Sequence, residues 1–240
     1  MSRRPAELES VNLAALSSIV EAFRAALKAS SKLAASWGTG GIVTRFAAMV
    51  ATDTDKDECT GTMAFWADID AEYVLKYQRW HNCEHMPERL SIPGFVEGRR
   101  YRALDDRSHF LMFYDTHSTS VLSSEAYMAA LNKPTPWTRE ALTHFRNPTR
   151  GIFSRLTAVG RSRKFAAPYI TSLRFDLPDE DTEAIYARSW VQAASEADNV
   201  ERVGLYKAHV AIGDTGTSEQ NVHGGGPGKQ AYLVLIEESD

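Results

Sequence analysis

Gly151-Ile152-Phe153-Ser154-Arg155-Leu156-Thr157-Ala158 echoes Gly41-Ile42-Val43-Thr44-Arg45-Phe46-Ala47-Ala48. Glycine, isoleucine, a hydroxyl residue, arginine and a closing alanine recur in register. A second echo pairs Phe110-Leu111-Met112-Phe113-Tyr114-Asp115 with Tyr232-Leu233-Val234-Leu235-Ile236-Glu237. A weaker third pairs Gly98-Arg99-Arg100-Tyr101-Arg102 with Val203-Gly204-Leu205-Tyr206-Lys207. A repeat of this kind decides the fold before any single element does, because each copy is a supersecondary unit that needs a partner to bury its apolar face.

Between the first two copies lies a segment that reads as one complete β-α-β-β-α-β unit. Its first strand is 62–69, Thr-Met-Ala-Phe-Trp-Ala-Asp-Ile. A helix over 71–86 follows, with Tyr73, Tyr77, Trp80, His81 and Glu84 at helical spacing. Strands over 95–104 and 108–116, a helix over 121–131, a short helix over Trp137–Phe145 and a strand over 151–159 complete the unit. Downstream, 169–177, 180–197, 200–212 and 230–237 supply only β-α-β-β. The missing helix and strand stand at the other end, as Val11–Ala35 and Gly41–Thr52. The expected order is therefore permuted: 1–52 completes the second repeat, 53–61 is a polar linker, 62–160 is the first repeat and 161–240 is the remainder of the second. Circular permutation needs neighbouring termini and an exposed break, which a loop between strand and helix offers. A strand exchanged between two chains is the alternative.

The 240 residues are 43% hydrophobic and 24% charged, ordinary values for a globular fold. A net charge of −4 argues against nucleic acid as a partner. No apolar run approaches membrane-spanning length. The N-terminus, with Arg3 and Arg4 followed by Glu7 and Glu9, lacks the apolar region of a signal peptide. Two cysteines, Cys59 and Cys83, give no disulfide framework and fit a reducing, cytoplasmic setting.

The densest chemistry is Trp80-His81-Asn82-Cys83-Glu84-His85-Met86-Pro87-Glu88-Arg89-Leu90. Histidines four apart share a helix face, and both exchange protons near neutral pH. Pro87 and Pro93-Gly94 are expected to end the helix just beyond them. The second-repeat helix offers Tyr186, Trp190, Gln192 and Glu196 and no histidine, so the first repeat is the expected active half. His81-Asn82-Cys83-Glu84-His85 formally matches the pattern of inverted zinc peptidases, but a proline so close behind argues against that use. A non-peptidase metal site with His109 or another residue as third ligand is a minor alternative; the expectation is no metal and no cofactor. Gly224-Gly225-Gly226-Pro227-Gly228-Lys229 is not a phosphate loop, because Gln230 replaces the hydroxyl residue and a strand follows. It reads as a loop over a pocket mouth.

His81-Asn82-Cys83-Glu84-His85-Met86-Pro87, with Pro93-Gly94-Phe95 and Arg99-Arg100-Tyr101-Arg102, resembles the EthD-like proteins of the dimeric α+β barrel superfamily over about residues 62–160. The resemblance implies a ferredoxin-like fold, here as two repeats forming one α+β barrel, with a pocket between the sheet and its covering elements. Relatives include polyketide cyclases, lactone isomerases, dehydratases and small oxygenases. The chain is more than twice as long as the common single-repeat form. The resulting expectation is a cofactor-free lyase, isomerase or cyclase acting on a small aromatic or polyketide-like molecule. His81 and His85 are its candidate acid–base pair, and Glu84 or a backbone carbonyl sets the tautomer of one ring. Arg89, Arg100 or Arg102 holds a developing anion. Trp80, Trp66, Tyr101, His109 and Tyr114 are candidate pocket residues. A binding protein for a hydrophobic small molecule and a metal- or haem-dependent oxygenase are the alternatives. A monomer with an internal barrel and a homodimer both fit.

Overall fold

The computed structural model describes residues 59–104, 109–160, 167–177, 179–209 and 216–239. The helix expected over 11–35, the strand over 41–52 and most of the joining segment lie outside the described residues. The fold is α+β. Seven strands are β1 (Gly61–Ile69), β2 (Phe95–Arg102), β3 (His109–Thr116), β4 (Phe145–Gly160), β5 (Tyr169–Phe175), β6 (Val200–Ala208) and β7 (Tyr232–Glu238). They form one antiparallel sheet in the order β2-β3-β1-β4-β6-β7-β5. The run β2-β3-β1-β4 is a ferredoxin-like unit. The run β6-β7-β5 repeats its first three strands, and among the described residues β5 pairs on one edge only.

β4 joins the two halves. Its 16 residues pair with β1 through Ser154 and with β6 from Phe153 onward, with a bulge between Arg155 and Thr157 that bends it from one half-sheet into the other. The sheet then rolls upon itself. Arg99 on β2 pairs with Glu237 on β7 at 2.9 Å, although four strands separate them in the order. Trp66 on β1 donates from Nε1 to Ser172 Oγ on β5 at 3.3 Å, and the Arg174 guanidinium lies 4.4 Å over the Trp66 ring. The enclosed face holds Ala64, Trp66, Leu111, Phe113, Phe153, Tyr206, Leu233 and Leu235.

Alternation along the strands turns the other face toward the helices. There Phe65, Phe110, Met112 and Tyr114 meet Tyr77 and Trp80 in one apolar cluster. A second cluster around Tyr186, Trp190, Val203, Leu205, Val234 and Ile236 underlies the helices of the other repeat. Both strand faces are apolar, so period-2 patterning alone does not say which one the helices cover.

The helices of the first repeat are α1 (Val74–Trp80), α2 (Met86–Leu90), α3 (Glu125–Asn132) and α4 (Pro136–Leu142). Those of the second are α5 (Glu180–Ile185), α6 (Val191–Ser195) and α7 (Ser218–His223). α1 and α2 run on through a π-turn, His81–His85, rather than stopping at Pro87. The Met86 N–H reaches back to the His81 carbonyl. The widened turn removes the clash a proline ring would make with the carbonyl four residues earlier, so the expected break becomes a helix continuing to Leu90. The second repeat has its own π-turn, Tyr186–Trp190.

Helix α7 lies between β6 and β7, in a stretch to which the sequence reading assigns no element, just before the glycine-rich loop. Its signals were nonetheless present. Thr217 caps the N-terminus by accepting from the Gln220 N–H, and Gly224 ends it at φ 72°. The glycine run beyond it is pinned to β4, since the Arg150 N–H donates to the Gly226 carbonyl at 3.0 Å. No helix of the described residues is long and apolar enough to cross a membrane.

Candidate active site

The π-turn aims its two histidines differently. His81 is fully buried, with Nε2 3.2 Å from Tyr114 Oη. Burial pushes the Tyr114 phenol up, so it stays protonated, and the His81 tautomer sets which of the two groups donates. The His85 ring lies against Trp80 at 4.5 Å and 5.6 Å from the His81 ring. Among the described residues, the Nδ1 atoms of both histidines are buried and without a hydrogen-bond partner. Burial first, and then the nearby Arg100 and Arg89 guanidinium groups, hold His81 well below the ordinary histidine range. Burial and Arg89 do the same for His85. Both rings are therefore neutral at neutral pH.

A cavity of about 40 Å³ opens beside His85, between the helix layer and the sheet. Trp80, Arg89, Tyr114 and Arg150 are among its walls, and α7 closes it with Glu219, Gln220 and His223. The space admits a water or two; an aromatic ring needs a wall to move. Arg89, 1% exposed, donates to Glu88 Oε2 at 3.2 Å and to Glu219 Oε1. Ligand atoms of His85, Glu88 and Glu219 lie within 4.8 Å of one another, a donor set that a cation fits. Arg89 already bridges one oxygen of each carboxylate and supplies positive charge there.

The structure brings His85, Trp80, Arg89 and Tyr114 to this cavity, while His81 stands behind Tyr114 and does not line it. Arg100 is also behind the wall, buried under Tyr77 with its guanidinium 5.5 Å from that ring and Nη1 unpartnered among the described residues. Five expected residues are elsewhere. Glu84 accepts from Thr135 Oγ1 at 2.6 Å and Thr138 Oγ1 at 2.8 Å, fastening the N-terminus of α4 instead of orienting an imidazole. Trp80 Nε1 joins the same knot through Thr138 Oγ1 at 3.1 Å. Tyr101 stacks on Phe113 at 6.0 Å on the enclosed barrel face, and Trp66 shares that face. His109 pairs with Asp68 Oδ1 at 2.7 Å, away from the histidine pair. Arg102, an alternative anion holder, is exposed at the strand end. The residues missed from sequence are Arg150, Glu219 and His223. The latter two reach the first-repeat cavity from the second repeat, a juxtaposition that no local pattern announces.

No family model matches the sequence, and no curated protein does. Among solved structures, an anthrone oxidase-like protein superposes with a TM-score of 0.52 at 10% identity, over 78% of this chain and 76% of that one. A protein designated a monooxygenase from Fusobacterium nucleatum subsp. nucleatum gives 0.47 at 9% identity, over 76% and 77%. A dimeric ferredoxin-like protein from an uncultured marine organism is matched along 100% of its length by 46% of this chain, at 14% identity and a TM-score of 0.35. The first of these likenesses establishes a shared ferredoxin-like α+β fold.

Proposed function

We propose that this chain is an acid–base enzyme that removes a proton from a carbon acid or phenol on a small aromatic or polyketide-like molecule. It works as a lyase, isomerase or cyclase that needs no cofactor. The observation that carries this reading is a neutral His85 on the wall of a cavity whose other walls include Arg89 and Tyr114. A neutral imidazole accepts a proton, and oxygens of Glu88 and Glu219 lie within 4.8 Å of a His85 ring nitrogen, both carboxylates being bridged by Arg89. His81 is a positioning residue in this reading, because it acts through the Tyr114 hydroxyl. The reading includes an EthD-like, circularly permuted two-repeat protein in a reducing, cytoplasmic setting, in keeping with two free cysteines. It also includes movement of a cavity wall to admit substrate.

A second reading is an oxygenase, in which the carbanion left by the same proton removal reacts with molecular oxygen. What favours it is the anthrone oxidase-like neighbour. Anthrone itself is a carbon acid and serves as probe for both readings. Proton NMR in deuterated water under argon is expected to show faster loss of its C10 protons with the chain than with buffer. His85→Ala should remove that acceleration by a factor of about 10²–10⁴. Conversion to the quinone on admitting air would select the oxygenase. Buffer-level exchange for anthrone and for a panel of smaller carbon acids would replace both readings with a small-molecule binding protein.

A further inference from the structure

We propose that His223, delivered by the second repeat, is the oxyanion-binding group of the first-repeat cavity, presenting a neutral Nε2–H to an enolate or phenolate oxygen with Arg150 beside it. The proposal rests on the reading of His85 as base and names the group that receives the charge His85 creates. When His85 takes the proton from carbon, the electron pair left behind moves onto the conjugated oxygen. His223 donates a hydrogen bond to that oxygen and keeps its own proton.

The tautomer is set by the backbone. Gly224, at φ 72°, turns the chain at the end of α7 so that the Gly225 N–H donates to His223 Nδ1 at 2.9 Å. With the Nδ1 lone pair occupied, the neutral ring carries its hydrogen on Nε2. The turn leaves no room for a side chain, because a β-carbon on Gly225 would stand 2.9 Å from Pro148. The edge-to-face contact of the imidazole with Phe65, at 5.2 Å and 84°, holds its plane.

The surroundings keep the ring uncharged and favour an anion. Burial, then Arg150, push the pKa of His223 down to about 4. Arg150 is itself buried and donates from Nη2 to the Tyr127 hydroxyl at 3.2 Å. His85, His223, Arg89, Arg150 and Glu219 all line the one cavity, and the Glu219 carboxylate is engaged by Arg89. A fixed neutral donor backed by a guanidinium is suited to charge that appears only during reaction, since it needs no reorganisation at that moment. A helix cap alone would use Nδ1 and would not require His223 to line a cavity as it does.

The test uses the full chain and 4-nitrophenolate as an oxyanion probe, titrated by its visible absorption above the pKa of the phenol. The native chain should bind it, and His223→Phe, which keeps the contact with Phe65, should weaken binding roughly tenfold or more. His223→Gln, which restores an N–H donor, should recover most of the affinity. In the anthrone exchange assay His223→Phe should lower kcat about 10²–10³-fold with little change in KM. Nitrogen-15 NMR should find the Nε2–H tautomer in the native chain. A native chain that binds no phenolate, or a His223→Phe chain that binds it undiminished, overturns the proposal. The two readings fail separately: exchange lost with His85→Ala but untouched by His223→Phe sinks the oxyanion group alone. Phenolate binding that needs His223 without any exchange sinks the base.

Discussion

The π-turns His81–His85 and Tyr186–Trp190 are the same device put to different use. Each is five residues long, and the interval from His85 to the start of β2 at Phe95 equals that from Trp190 to the start of β6 at Val200. The equivalences continue into the sheet. Gly98 pairs with Tyr114 and Arg100 with Met112, as Val203 pairs with Ile236 and Leu205 with Val234. His81, His85, Arg89, Arg100 and Tyr114 of the first repeat thus stand where the second has Tyr186, Trp190, Ala194, Leu205 and Ile236. The second set is a packed apolar cluster. The first set buries two guanidinium groups, the His81 imidazole and a phenol, with the half-buried His85 imidazole beside them. Burying such groups costs free energy that the second repeat shows the fold does not have to spend. π-turns recur at functional sites, but here the turn is common to both halves, so its presence is a property of the repeat; the polar substitutions are what set the halves apart.

Gly98 belongs to that difference. A β-carbon there would come within 2.8 Å of the Tyr114 ring. The glycine makes room for the phenol that meets His81, whereas Val203, opposite Ile236, needs no such room. The exchange of glycine for valine across the repeats follows the exchange of tyrosine for isoleucine.

The largest effect expected from this comparison is on stability in the second repeat. Trp190→Ala should lower the unfolding free energy by about 3–5 kcal/mol in urea titrations, through the cavity it leaves. Anthrone exchange per folded molecule should stay unchanged. Loss of exchange in a still-folded Trp190→Ala chain would place chemistry in the wrong half.

Acid should weaken the first repeat in particular. His81, His85 and His223 have folded pKa values below the ordinary 6.5. The unfolded chain therefore binds protons at these sites before the folded one does. Their effect is absent above pH 6.5, and stability falls as pH drops below it, with each group contributing up to about 1.4 kcal/mol per pH unit until its folded pKa is reached. Replacing His81 by Tyr and His85 by Trp, their second-repeat counterparts, should flatten this acid limb. An unchanged limb in the double variant would mean that the two rings are not held neutral in the native chain.

Gly98→Ala should cost about 1–3 kcal/mol by overpacking against the Tyr114 ring, with a matching change in tyrosine near-ultraviolet dichroism. Val203→Ala, its counterpart, should loosen its surroundings without disturbing that signal. The smallest effect belongs to Glu84→Gln. An amide oxygen still accepts from Thr135 and Thr138, so stability should fall by only about 1 kcal/mol and exchange should persist. A strong loss of exchange would return Glu84 to the chemistry.

Much of the architecture was legible because it rests on local periodicity. The echoes that pair Gly98–Arg102 with Val203–Lys207 and Phe110–Asp115 with Tyr232–Glu237 coincide residue for residue with the registers of β2–β3 and β6–β7. The β-α-β-β-α-β unit, the cluster of histidines and the lack of histidine in the second helix are readable in the same way. Pro87 misled because its rule assumes a regular α-helix, and the preceding turn is not one. Trp66 and Tyr101 misled because a strand buried on both faces has no polar side to orient it.

By itself, then, the amino-acid sequence determined which segments become strands and helices, that the units repeat, and where the titratable residues concentrate, since these depend on spacing along the chain. Tertiary structure alone decided which sheet face meets the helices, that Glu84 fastens α4, and that His81 stands behind Tyr114 while His85 faces the cavity. It also decided that Glu219 and His223 cross from the second repeat to complete the first, 130 residues separating Glu219 from Arg89. The physical reason is the range of the forces involved. Helical and strand periodicity is set by neighbours a few bonds away, whereas the burial, charge and proton affinity of a side chain are set by whatever the closed sheet brings against it.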